Sequence, residues 1–173
     1  VGPLRTEEYA DVSKTLLVWK QVAHEKSLLA QESKDKKTFA ASSRYCSSLA
    51  QHLVKSEKFT FLACKDQSGS LQGVMDLSID RENCVNVYFL VANPSNIRSP
   101  LNAQNGQVKG AGSALCDAAE LLVSDEDLDC VKLIPTDYSK EFYAKRDYST
   151  GGIYMRKTIA KIRRALSEEK EVA

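Results

Sequence analysis

The run Gln107-Val108-Lys109-Gly110-Ala111-Gly112-Ser113 stands where a polar stretch gives way to an apolar-periodic one. Two glycines one residue apart let the backbone approach a ligand closely. A helix starting behind them offers N–H groups without intrahelical partners and the positive end of its dipole. Anionic phosphate is the natural guest of such a junction. A P-loop would need Gly-Lys-Ser/Thr at the helix start, and Gly110-Ala111-Gly112-Ser113 has no lysine there. A dinucleotide fingerprint would need a third glycine where Leu115 stands, and a glycine turn directly after a parallel strand. What remains is the pattern Gln/Arg-x-x-Gly-x-Gly/Ala, met by Gln107, Gly110 and Gly112.

Other reactive side chains are sparse. His24 and His52 fall in helix-periodic stretches away from the junction, which makes each a surface or partly buried helix residue rather than a base. The five cysteines, Cys46, Cys64, Cys84, Cys116 and Cys130, are odd in number and dispersed, without a Cys-x-x-Cys pair. They indicate neither a disulfide framework nor a zinc site, and they suit a reducing compartment. A thiol at Cys84 or Cys116 could accept an acyl group from a thioester, but no histidine neighbours either, and free cysteines are commonly small buried hydrophobes.

The elements around the junction follow from periodicity. From Glu7 to Leu29, Tyr9, Val12, Leu16, Trp19 and Ala23 recur at helical spacing. The polar run Gln31 to Lys37 reads as a connection, and Phe39, Ser43, Cys46, Leu49, Ala50 and Leu53 define a second helix. Phe59, Phe61 and Ala63 then change the rhythm to period two, up to the turn residues Asp66 to Ser70. Leu71 to Ile79 forms the next strand, Asp80 to Asn83 a turn, and Val85, Val87, Phe89 and Val91 one face of a third. Asn93 to Gln107 is a long loop; Ala111, Leu115, Ala118, Ala119 and Leu122 define a helix ending near Ser124. A strand at Cys130 to Ile134, a short helix within Ser139 to Arg146 and a strand at Ile153 to Ile159 complete an α+β, mixed-sheet order.

Composition sets the frame. The 173 residues, 43% hydrophobic and 27% charged, suit one soluble globular domain, placed at residues 1–160 with a charged terminal helix or tail at 161–173. A net charge of +1, with the basic cluster Lys157 to Arg164 followed by Glu168, Glu169 and Glu171, predicts neither a nucleic-acid nor a membrane partner. No targeting segment or long apolar run stands in the sequence, and the expected location is the cytoplasm.

The junction and its flanks resemble the GNAT superfamily of acyl-CoA-dependent N-acyltransferases. Gln107, Gly110 and Gly112 match its CoA motif, with Leu115 at the usual apolar position behind them. Upstream, Phe89-Leu90-Val91-Ala92-Asn93-Pro94 is similar to the end of the family's fourth strand. Downstream, Phe142 to Tyr148 is similar to its phenylalanine-tyrosine helix, with Asp147-Tyr148 in place of Gly-Phe. The loop between Pro94 and Gln107 is longer than the family's common spacing, and the element order agrees over most of the chain.

The resemblance implies a central, mostly antiparallel twisted sheet flanked by helices. It implies acetyl-CoA as cosubstrate, no metal, and transfer of the acetyl group to a primary amine by direct attack. The amine belongs to a small molecule or a protein. The CoA site would comprise Val91 and Asn93, whose backbone faces the acyl carbonyl; Gln107, Val108, Lys109, Gly110, Ala111, Gly112 and Ser113, which hold the pyrophosphate; and Thr136, where many members carry asparagine. Tyr143 matches the tyrosine that protonates the CoA sulfur in many members. Tyr88 stands where many carry a glutamate, so the base is left to Asp76 or to a water held by Asn86 or Tyr88. A catalytically silent domain that binds acyl-CoA or a protein partner is the alternative.

Overall fold

A computed structural model of the chain describes residues 1–55, 59–102 and 108–172, with side chains to residue 169. The elements run β1 (Gly2–Pro3), a 3₁₀ turn (Thr6–Glu8), α1 (Tyr9–Leu29), α2 (Ser33–Val54), β2 (Thr60–Lys65), β3 (Leu71–Ile79) and β4 (Cys84–Ala92). A second 3₁₀ turn (Pro94–Asn96), α3 (Ala111–Asp125), β5 (Cys130–Leu133), α4 (Lys140–Lys145), β6 (Ser149–Gly151), β7 (Tyr154–Thr158) and α5 (Ile159–Val172) follow. The strands form a seven-stranded sheet of order β1-β2-β3-β4-β5-β7-β6. The fold is α+β, with a mostly antiparallel sheet flanked by helices.

By internal contacts the chain divides into two compact units, Val1–Asp76 with Phe89–Leu115, and Leu77–Tyr88 with Cys116–Ala173. In the first, the apolar stripes of α1 and α2 form one core with the strands: Val12, Leu16 and Trp19 from α1, Cys46, Leu49 and Leu53 from α2, Phe61, Val74 and Val91 from β2, β3 and β4. Each large apolar side chain buried this way contributes about 1.5–3 kcal/mol. The β2–β3 turn closes on Asp66, whose carboxylate accepts the N–H groups of Ser68 and Ser70, while Gly69 takes the left-handed conformation (φ 84°) that the turn needs.

In the second unit β4 and β5 run parallel, from Cys84↔Cys130 to Val87↔Leu133, and β7 pairs antiparallel with both β5 and β6. Val85, Val123, Val131 and Ile162 are fully buried there. The carboxylate of Glu120, itself buried, takes Lys157 Nζ at 2.7 Å and the Tyr148 hydroxyl at 3.2 Å. Every oxygen of that carboxylate thus has a donor, as a buried charge requires.

Several elements differ from the sequence expectation. α2 begins at Ser33, inside the run read as a connection, because its first turns are solvated and carry no apolar stripe; Asp35 in that turn complements the helix dipole. β1 and β6, of two and three residues, are too short to show a period. The expectation of no disulfide is corrected: Cys84 and Cys130 are joined. Register neighbours on parallel strands, their Cα atoms lie 4.7 Å apart, a proximity that 46 residues of separation conceal in the sequence. Among the described residues no helix is long and apolar enough to cross a membrane.

Removing this cross-link by Cys84→Ser with Cys130→Ser should lower stability by about 2–4 kcal/mol, read as a reduced urea midpoint. Peptide mapping without reductant should find only Cys46, Cys64 and Cys116 alkylated.

Candidate functional site

The end of β4 is tied to β3 and to the loop that follows. Asn93 donates its N–H to the Gln72 carbonyl at 2.9 Å, and its side chain caps the 3₁₀ turn by accepting the Ser95 N–H at 3.0 Å. Gln72 in turn accepts Asn96 Nδ2 at 2.8 Å, and Asn96 Oδ1 accepts the Val108 N–H at 3.0 Å. The loop from Pro94 to Asn102 is an anchored structure. Buried Asn102 donates to the carbonyls of Pro94 and Ile97 and accepts from Lys26 of α1, while Ser99 donates to Asp35 of α2 at 2.6 Å. Burial lowers the Lys26 pKa below the usual lysine range.

Alternation along the strand then decides which amides are available. Asn93 directs its N–H toward β3, so Ala92 directs its own toward the opposite edge. The β4–β5 ladder stops at Val87↔Leu133, before β4 ends at Ala92. Of Val91 and Asn93, the two residues expected to face an acyl carbonyl, Asn93 has its amide engaged with Gln72, and between them Ala92 turns its N–H away from β3. The sequence pattern named its neighbours because direction along a ladder is invisible without the pairing.

α3 starts directly behind Gly110. That glycine adopts φ 90°, and its carbonyl accepts the Ala114 N–H at 2.8 Å, the first bond of the helix. The N–H groups of Ala111, Gly112 and Ser113 have no carbonyl one turn back within the helix. Lys109 and Gly110 are exposed and Ala111 is buried. Val108 was expected among the phosphate donors, and its N–H is donated to Asn96 Oδ1. Gln107 lies outside the described residues.

Gly73 on β3 fixes the approach of this helix. A Cβ added there would lie 2.9 Å from Leu115 Cδ1, 3.2 Å from the Val91 carbonyl oxygen and 3.4 Å from Ala111 Cβ. The bare backbone at Gly73 is what lets the first turn of α3 settle against the strands beside Val91.

Asp76 on β3 is fully buried rather than solvent-facing. Its Oδ1 accepts the Phe89 N–H at 2.6 Å and its Oδ2 lies 2.5 Å from His52 Nδ1. Desolvation raises its pKa, against the lowering effect of those two hydrogen bonds. His52, read from the sequence as an ordinary helix residue, is the partner of this carboxylate; a histidine and an aspartate on different elements give no sequence signal of pairing.

In the second unit, Tyr88 is exposed, and its hydroxyl accepts from Ser78 Oγ at 3.2 Å. Thr136 is engaged in the turn that opens α4: its N–H and Oγ1 both meet Ser139 Oγ, at 2.9 and 3.0 Å. Tyr143 is buried on α4, edge-on to Phe142 and 5.5 Å from the ring of Tyr148. The Asp147-Tyr148 departure is accommodated. Asp147 takes φ 66° after α4, with its N–H on the Ala144 carbonyl and that of Tyr148 on the Tyr143 carbonyl, the double bond pattern of a glycine C-cap. Neither cysteine weighed as a nucleophile offers a thiolate: Cys84 is in the disulfide, and burial pushes the Cys116 thiol up to about 12.

The sequence matches no protein-family model and no curated protein. In structure the chain is similar to a GNAT-family acetyltransferase of Staphylococcus aureus Mu50, at 9% identity over 86% of this chain and 94% of that one, with a TM-score of 0.54. It is also similar to a bacterial toxin, at 16% identity over 74% and 83% of the two chains and a TM-score of 0.53. A third likeness is to a chain of the KacTA–DNA complex, at 15% identity over 69% and 82% and a TM-score of 0.51. The architecture is the GNAT fold.

If Gly73 sets the seat of α3, Gly73→Ala should lose about 1–3 kcal/mol of stability through overpacking, measured by urea unfolding. Adding Leu115→Val, which shortens the side chain the new Cβ meets, should recover part of that loss.

Proposed function

We propose that the chain is an acetyl-CoA-dependent N-acetyltransferase that moves the acetyl group to a primary amine by direct attack. The observation that carries this reading is the start of α3: a left-handed Gly110 caps a helix whose N–H groups at Ala111, Gly112 and Ser113 lack intrahelical partners, within a GNAT fold. Such a terminus suits a pyrophosphate through both its donors and its dipole. In this reading the outward amide of Ala92 receives the acyl carbonyl and stabilises its oxyanion, and Lys109 and Gln107 flank the phosphates. Tyr143 protonates the departing thiolate, a role that rests on the resemblance, and Thr136 remains a candidate CoA contact on the same ground. Residues 1–160 act as the acyltransferase domain, with 161–173 as a charged terminal helix. No metal, nucleic acid or membrane is part of it, and the cytoplasm is its expected location.

A catalytically silent acyl-CoA-binding domain is the second reading, favoured by Tyr88 standing on β4 where the family's carboxylate would be. Turnover separates the two.

Titration calorimetry of the protein with acetyl-CoA and with CoA should give micromolar dissociation constants, about −8 kcal/mol. Gly110→Val puts a β-branched side chain at φ 90° and should weaken binding at least about tenfold with the far-UV spectrum unchanged. Full affinity in that variant would contradict the site. Tyr143→Phe should keep acetyl-CoA affinity and lower the rate of CoA release about 10²-fold or more.

A further inference from the structure

The outer face of α1 carries apolar side chains that the core does not use. Val12, Leu16, Trp19, Ala23 and Ser27 are the buried residues of this helix. With 3.6 residues per turn, Leu17, Val18, Leu28 and Leu29 fall on the other side, where they remain 50%, 62%, 68% and 67% exposed. A surface helix ordinarily turns charged and polar residues to solvent there. Together the four leave on the order of 400 Å² of apolar surface open, within the range of patches that mark interaction sites.

Spacing shows what fits this face. The two apolar pairs stand eleven residues apart, close to three full turns, so they share one face about 16 Å apart along the helix. Between them lie Gln21 and Glu25, with Gln21 Nε2 donating to Glu25 Oε1 at 2.8 Å. The whole pattern is symmetric about the level of Ala23. When a second copy is laid antiparallel on the first, Leu17 meets Leu28 of the second copy and Val18 meets its Leu29, and each contact occurs twice. Each Glu25 then faces a Gln21 of the other copy. Lys14, exposed and 3.5 Å from Asp11 of its own chain, falls where the other helix ends, beside the negative end of its dipole and the exposed Glu32. A parallel pairing would instead set Lys14 on Lys14 and Glu25 on Glu25, so the charges select the antiparallel one.

We propose that this face of α1 is a self-association surface, on which two copies of the chain pair antiparallel about a two-fold axis at the level of Ala23. The contact is isologous, each helix offering the same residues to the other. With its polar flank it buries roughly 1,000 Å² in all, the small end of specific interfaces. The dimer is accordingly weak, with a dissociation constant of about 1–100 μM. The Gln21–Glu25 centre costs stability and fixes the register, as a polar residue in a coiled-coil seam does. The surface lies within the first unit and stands apart from the acyltransferase reading.

Sedimentation velocity of the whole chain from about 1 to about 300 μM should show a monomer–dimer equilibrium. Leu28→Glu places a charge in both apolar contacts and should weaken the dimer at least about tenfold. Its far-UV spectrum and urea midpoint should be unchanged, because Leu28 lies outside the core. Lys14→Glu should weaken the dimer about two- to fivefold, and Glu32→Lys added to it should restore the original constant. The Glu32 side chain makes no capping bond at the start of α2, so that change leaves the helix start intact. Register is read by oxidative cross-linking, with the unmodified protein as control for the native cysteines. A mixture of Leu17→Cys and Leu28→Cys proteins should form a disulfide-linked dimer, and neither alone should, since like positions stand about 15–18 Å apart along the pair. A monomer throughout the concentration range overturns the proposal. So does a dimer that Leu28→Glu leaves intact, which would place association on another surface. Cross-linking of the Leu17→Cys protein with itself overturns it as well, because only the parallel register brings those positions together.

Discussion

A missing Cβ governs the first unit. At Gly73 the nearest atoms to the place a side chain would begin belong to Leu115, Val91 and Ala111. Any other residue would push the first turn of α3 away from the strands, or displace the Val91 carbonyl. Since Gly110, Ala111, Gly112 and Ser113 are the N-terminal groups of that helix, their position beside the end of β4 depends on this close approach. Val108 is received by Asn96, Asn96 by Gln72, and Gln72 by Asp66, so a chain of polar side chains links the helix start to the β2–β3 turn.

Polar groups of the first unit repeat one pattern: a side-chain oxygen accepts a backbone amide. Asp76 takes the Phe89 amide, Asn96 that of Val108, and Asn93 that of Ser95. Each such bond removes the penalty of an unsatisfied donor, and each also aims a strand or turn that the proposed function uses. Asp76 is the most demanding case, because a carboxylate without exposed surface requires a second donor, and His52 is the group that supplies it. The result is an oriented imidazole at the edge of a hydrophobic core.

What could be read in advance followed from periodicity and from backbone chemistry. The stripes of α1 and α2, the alternation in β2, β3 and β4, and the glycine start of α3 are local patterns, and the α+β order came from them; the GNAT architecture came from the family resemblance of the residues around that start. The disulfide between Cys84 and Cys130, the His52–Asp76 pair and the asparagine anchors of the Pro94–Asn102 loop were not legible, because each joins residues remote in sequence through register or packing. The amide directions at Ala92 and Asn93 lie in the same class. They depend on which neighbour β4 pairs with at each residue, and a change of one residue in register would exchange their roles.

The central claim is that the α3 start and the end of β4 receive acetyl-CoA, and amide-resolved NMR during titration with that ligand tests it most directly. The account predicts shifts concentrated at Ala92 and at Ala111, Gly112 and Ser113, saturating with the calorimetric constant, and smaller shifts at Val108 and Asn93, whose amides are engaged with Asn96 and Gln72. Saturable shifts confined to other surfaces, or none at millimolar ligand, would contradict it.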